Sequence, residues 1–186
     1  MSKSPDHAFV ALLRGINVSG QKLMPMAALR EHFAAAGYRR VKTYIQSGNV
    51  YFETRSRDAR KLEADLSQLI RTHYGWDVPV IVRSLPELAD IVTRSPFAAP
   101  DRSCEQVYVG FLRSEPSATA AAELAARSMA TDRFAVDGRT LYIWQRKDVP
   151  KNLLDSLNLE RLLHTEITLR NWATTVRLTQ WSIPAA

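Results

Sequence analysis

Apolar residues are grouped along the chain in short runs with changing period. In Ala8 to Arg14 both alternating sets, Phe9/Ala11/Leu13 and Val10/Leu12, are apolar, the pattern of a strand covered on both faces. One face is assigned to helices, the other to a second lobe or another subunit. Gly15 to Gly20 leads out of the strand as a loop, and Pro25 opens a helix with Met26, Leu29 and Phe33 on one face and Gly37 at its end. Val41 to Ile45 and Val50 to Phe52 are β-rich and flank Gln46-Ser47-Gly48-Asn49, so a hairpin is expected. Asp58 caps a helix striped by Leu62, Leu66, Leu69 and Ile70 and followed by Gly75. Val78 to Val82 reads as a strand, and Leu85, Leu88, Ile91 and Val92 mark a further helix closed by Pro96.

Strand, helix, strand, strand, helix, strand is the split βαβ succession of ferredoxin-like lobes. Pro96 to Glu105 reads as a linker, after which the succession recurs. Gln106 to Leu112 is a strand, Thr119 to Met129 a helix, and Phe134 to Trp144 a hairpin turning on Asp137-Gly138. Leu153 to Leu163 has a helical pattern with a break at Asn158, Thr165 to Leu169 is a strand, and Trp172 with Val176 marks a last helix. The expected fold is therefore α+β in two lobes. Residues 1–95 form a ferredoxin-like βαββαβ sandwich, 96–105 a linker, and 106–186 a similar α+β lobe with an extra C-terminal helix. The halves share this pattern and little sequence, and an unrelated α+β arrangement also fits the second.

In a split βαβ lobe the first two strands run the same way, so the loop after one and the turn after the other meet at one sheet edge. Arg14, Asn17, Ser19 and Lys22 are thereby brought toward Gln46, Ser47 and Asn49. Such a rim offers a guanidinium, amides, hydroxyls and glycine N–H groups, which suits phosphate or carboxylate. The same residue types also satisfy their own turns, leaving a structural staple as the alternative. By the same logic Lys147, Asp148, Lys151 and Asn152 share an edge with Arg170 and Asn171 in the second lobe, where Asn171 is equally suited to cap the last helix.

These segments resemble a bacterial family catalogued as domain of unknown function 1697. The matching strings are ALLRGINVSG (11–20), the helix with Met26, Leu29 and Arg30, TYIQSGNVYF (43–52) and TLRNWATTVRL (168–178). The resemblance implies a two-lobed α+β protein without an established activity. The matched positions are Arg14, Gly15, Asn17, Gly20, Gln46, Ser47, Gly48, Asn49, Arg170, Asn171 and Trp172. Ser19 stands where the family usually has glycine, and Lys147 to Asn152 departs from its pattern.

Charge narrows the partners. The 186-residue chain has 25 Lys and Arg against 19 Asp and Glu, a net charge of +6, with +5 of it in residues 1–95. Spread this way, it implies at most weak, non-specific nucleic-acid binding. RNA-recognition lobes share the succession, and Phe9 and Tyr51 lie on the strands where stacking rings are wanted, so an RNA module is a second reading. A structural or interaction protein without a catalytic site is a third.

Reactive chemistry is sparse. His7, His32, His73 and His164 lack metal-ligand spacing, and Cys104 has no evident base, so no metal, cofactor or thiol nucleophile is expected. Ser47 is not in a nucleophile elbow, and Glu63/Asp65 and Asp155/Glu160 look like helix surface. One cysteine, a polar N-terminus and no apolar run long enough to span a bilayer point to a cytoplasmic protein off the membrane, able to form homo-oligomers. The best reading is a protein that binds a small anionic metabolite or nucleotide at the rim.

Overall fold

The computed structural model describes residues 7–18, 20–97, 103–149, 154 and 156–181. The element order is β1 (His7–Leu13), α1 (Met26–Ala35), β2 (Arg39–Tyr44), β3 (Asn49–Thr54), α2 (Ala59–Tyr74), β4 (Val80–Ser84), α3 (Leu85–Thr93), β5 (Glu105–Leu112), α4 (Ala118–Ala126), β6 (Asp132–Asp137), β7 (Thr140–Arg146), α5 (Leu159–Leu163), β8 (Ile167–Asn171) and α6 (Trp172–Thr179). These make two four-stranded antiparallel sheets, ordered β2-β3-β1-β4 and β6-β7-β5-β8. The chain divides into two compact units, residues 1–88 with 178–186, and residues 89–177. The division falls within α3, and residues 98–102 of the expected linker lie outside the described residues.

In the first unit β1 is central, and Phe9, Ala11 and Leu13 meet Val50, Phe52, Val80 and Val82 beneath the α1 and α2 stripes Met26/Leu29/Phe33 and Leu62/Leu66/Ile70. Helix α2 starts where the Asp58 side chain accepts from the Lys61 amide and ends at Gly75 with φ 70°, a left-handed cap that glycine adopts without a Cβ penalty. The opposite face of the sheet is buried too, with Val10, Leu12, Tyr51 and Ile81 almost fully covered. There Tyr51 donates to Glu53 Oε1 at 2.6 Å and its ring packs with Trp181. In the second unit Leu112, Leu141, Ile143 and Ile167 pack beneath Ala120 and Leu124 of α4 and Leu159 and Leu163 of α5. Asn158 does not merely interrupt a longer helix: its side chain accepts from the Arg161 amide and starts α5.

The two sheets repeat each other residue by residue. Leu13 opposite Val80 matches Leu112 opposite Ile167, and Val10 opposite Arg83 matches Val109 opposite Arg170. On the other edge Val10 opposite Tyr51 matches Val109 opposite Tyr142. This register aligns FVALLR (9–14) with YVGFLR (108–113), a likeness that the periodicity of the two halves does not bring out. Each central valine is thus flanked by a buried arginine and a buried tyrosine.

Burial, and then the nearby Asp137 carboxylate, pushes the Tyr142 hydroxyl up to about 12. Burial, followed by the bond to Glu53, raises Tyr51 as well. Both groups keep protons above pH 10 that the unfolded chain has released, so their stabilisation is complete below the ordinary tyrosine value and is lost as pH rises through the folded one. Arg170, lowered to about 10 by burial, acts in the opposite sense over the same window. Burial raises Tyr38 and Tyr74 too, so with four tyrosines against one arginine, urea midpoints are expected to fall between pH 10 and about 12. Tyr142→Phe removes its share of that fall, and a pH profile unchanged in this variant would show that Tyr142 does not contribute.

Candidate functional site

The loop after β1 and the turn after β2 do meet at one edge. Leu13 N donates to Gly48 O at 2.8 Å, closing the turn onto the end of β1, and Arg14 N donates to Pro79 O at 3.0 Å on the other side. Asn17 is the hub of this rim. Its Nδ2 donates to Gln46 O at 2.8 Å and to Met24 O at 3.1 Å, while its Oδ1 accepts from Met24 N at 2.7 Å. A further bond joins Asn17 N to Lys22 O. Asn17 has φ 53°, a left-handed conformation that asparagine tolerates better than most residues.

Gly48 is required where it stands. It has φ 78°, and a Cβ there would lie 2.7 Å from Leu13 Cβ and 2.8 Å from Ile16 Cδ1. Asn49 is fully buried and donates through Nδ2 to Tyr44 O and Ser47 Oγ, each at 3.0 Å. The rim amides are therefore engaged in holding loops together. Arg14 and Ser47 are half-buried, Gln46 is exposed, and Ser19 lies outside the described residues. Lys22 Nζ donates to Asp77 O at 3.1 Å.

In the second lobe Lys151 and Asn152 lie outside the described residues. Arg170 is buried and donates through Nη1 to Thr168 Oγ1 and Leu169 O, both at 2.8 Å. Asn171 accepts through Oδ1 from Thr174 N at 2.8 Å, so it caps α6. Asp148 pairs with Arg146, which holds its carboxyl below the usual range.

Three sequence expectations change, the first being Glu160, which is half-buried and accepts through Oε1 from Ile167 N at 2.9 Å, while Asp155 lies outside the described residues. Glu63 is buried rather than on the helix surface: its Oε1 accepts from Val82 N at 3.1 Å and its Oε2 lies 3.3 Å from Arg60. Because β4 is an edge strand, this carboxylate supplies an acceptor that no neighbouring strand offers. Phe9 and Tyr51 lie on opposite faces, and both are buried, so neither presents a ring to a base. Two cavities lie away from the rim, one of about 730 Å³ lined by His7, Phe9, Arg57 and Glu87, the other of about 340 Å³ lined by Arg127, Arg161 and His164.

The duplication isolates the rim as an elaboration. Residues 14–25 join β1 to α1, whereas only 113–117 join β5 to α4; the first hairpin turn is 45–48, its counterpart 138–139. Where Arg113 pairs with Glu166 at 2.6 Å, the residue matching Glu166 beside Arg14 is Pro79. Sequence reasoning found the rim residues but not this contrast, which needs the register of both sheets.

An antiparallel α+β fold duplicated in this way is also that of a solved structure, the conserved bacterial protein SP0830 from Streptococcus pneumoniae. The two are 22% identical with a TM-score of 0.75, over 95% of this chain and 98% of that one. The chain belongs to the family described as protein of unknown function DUF1697, whose profile matches residues 7–142. No functionally curated protein matches.

The staple is testable. Asn17→Ala removes three side-chain hydrogen bonds and places alanine at positive φ, an expected loss of about 2 to 4 kcal/mol in urea unfolding. Asn17→Gly, which keeps the conformation available, is expected to lose less, and equal losses would remove backbone conformation as a cause. Gly48→Ala is expected to lower the urea midpoint further than Asn17→Gly, because the new methyl meets β1 itself. Wild-type stability in Gly48→Ala would mean that the turn can move away.

Proposed function

We propose that the protein binds a small anionic ligand at the rim formed by Arg14 to Asn17 and Gln46 to Asn49, with Arg14 as the electrostatic anchor. The observation that carries this is the contrast between the two lobes. The same strand register bears a short connection and a two-residue turn in one lobe, but a long loop braced by Asn17 and a four-residue turn in the other. Loops that elaborate a shared scaffold are where binding residues concentrate. Arg14 and Lys22 supply positive charge, while Asn17 and Asn49 act as positioning residues through the backbone they hold.

The test is to titrate the protein with inorganic phosphate, nucleotides and dicarboxylates, and to compare Arg14→Lys. That substitution keeps the charge and loses the planar fork. It is expected to weaken the best anion by about ten- to hundredfold, the equivalent of ~1.5 to 3 kcal/mol, with the melting temperature nearly unchanged. Binding unaffected by Arg14→Lys, or a large fall in melting temperature, would return Arg14 to a purely structural role. Nucleic acid is expected to bind weakly and to be released by salt, and a tight complex that survives a salt titration would favour the RNA reading instead.

A further inference from the structure

The rim carries more than charge. Val18, Leu23 and Ile45 are 59%, 64% and 50% exposed, and they are three of the five large apolar residues that are exposed among the described residues. All three adjoin the Asn17 network. Val18 follows Asn17, Leu23 lies between Lys22 and Met24, and Ile45 precedes Gln46, whose carbonyl accepts from Asn17. Their neighbours Ile16 and Met24 are turned inward, 3% and 1% exposed, so the loop already contributes its apolar share to the core. Ile45 also has φ 50°, a rare conformation for a β-branched residue and one that accumulates at functional sites. Three apolar side chains are thus exposed on the loop and turn that the Asn17 network joins, and exposed apolar area side by side marks an interaction surface.

Charge identifies the partner's sign. At the rim itself the cations are Arg14 and Lys22, while Arg40, at the far end of β2, lies 3.7 Å from Glu53. The carboxylate near Lys22, that of Asp77, is paired with Arg71 at 3.2 Å. A second copy is a poor occupant, because a two-fold contact would set one basic rim against another. Arg14 and Lys22 are fewer cations than the four to eight of a typical anionic-membrane site.

Taking the rim as an anion site, we propose that it docks an acidic protein segment with apolar side chains between its carboxylates. The carboxylates meet Arg14 and Lys22, and the apolar side chains cover Val18, Leu23 and Ile45. The probe is a fluorescent peptide alternating Glu and Leu, compared with Gln/Leu and Glu/Ser peptides by anisotropy. Vesicles of phosphatidylcholine and phosphatidylglycerol and sedimentation equilibrium of the protein alone complete the set. The Glu/Leu peptide is expected to bind about tenfold or more tightly than either control. The triple variant Val18→Ser, Leu23→Ser, Ile45→Asn is expected to lose about tenfold in Glu/Leu affinity while its melting temperature holds. Asparagine is chosen at position 45 because it tolerates the positive φ. Equal binding of the Glu/Ser peptide, absence of Glu/Leu binding, or an unaffected triple variant would overturn docking. So would vesicle binding or self-association that the triple variant abolishes. Arg14→Lys separates the two ideas. If it leaves both phosphate and peptide binding intact while the triple variant weakens the peptide, the anion reading fails and the docking face remains without its charged anchor. If it weakens phosphate while the triple variant leaves the peptide unaffected, docking alone fails.

Discussion

Strand β1 is hydrogen-bonded along both edges, to β3 and to β4, and is buried on both faces. A strand enclosed in this way cannot slip: a shift by one residue would exchange Phe9, Ala11 and Leu13 for Val10 and Leu12 beneath the helices. Its end is consequently a fixed point. Arg14 leaves β1 between two neighbours held by backbone hydrogen bonds, Gly48 through Leu13 and Pro79 through its own amide. The rim is built outward from that point, and a Cβ at position 48 would lie 2.7 Å from Leu13 Cβ.

Duplication gives the molecule an internal control. Arginine, valine and tyrosine recur across matching strands of the two sheets, buried in both, so they belong to the scaffold. Arg83 and Arg170 show the physical cost of that choice, since a guanidinium removed from water must find acceptors. Arg170 finds them in a threonine hydroxyl and a carbonyl oxygen of its own strand. What differs between the lobes is concentrated at one edge. There the first lobe has a longer loop, a longer turn, several residues at positive φ and exposed apolar side chains. Scaffold and elaboration can therefore be told apart within a single chain.

The rim's polar residues divide by role. Asn17 and Asn49 face inward and hold backbone, and Asn171 does similar work at the start of α6. Asparagine is suited to this because its amide donates and accepts at once and because it tolerates left-handed backbone. Such residues hold a loop in place from within. The exposed part of the rim includes apolar side chains instead, Val18, Leu23 and Ile45.

Much of this was legible in the chain. The double apolar set in β1, the stripes of α1 and α2, Gly37 and Gly75 at helix ends and the Gln46 to Asn49 turn determined the elements, because burial and cap geometry act over a few neighbouring residues. The split βαβ succession was enough to bring Arg14, Asn17 and Lys22 to the same edge as Gln46, Ser47 and Asn49. Tertiary structure alone decided what those residues do there. Whether an asparagine binds a ligand or a carbonyl, whether Glu63 lies on a surface or under an edge strand, and whether Phe9 and Tyr51 share a face depend on register and on partners distant in sequence. Local pattern does not encode register between strands, so the match of FVALLR with YVGFLR, and the difference between Pro79 and Glu166 that it exposes, emerged only when both sheets were in place.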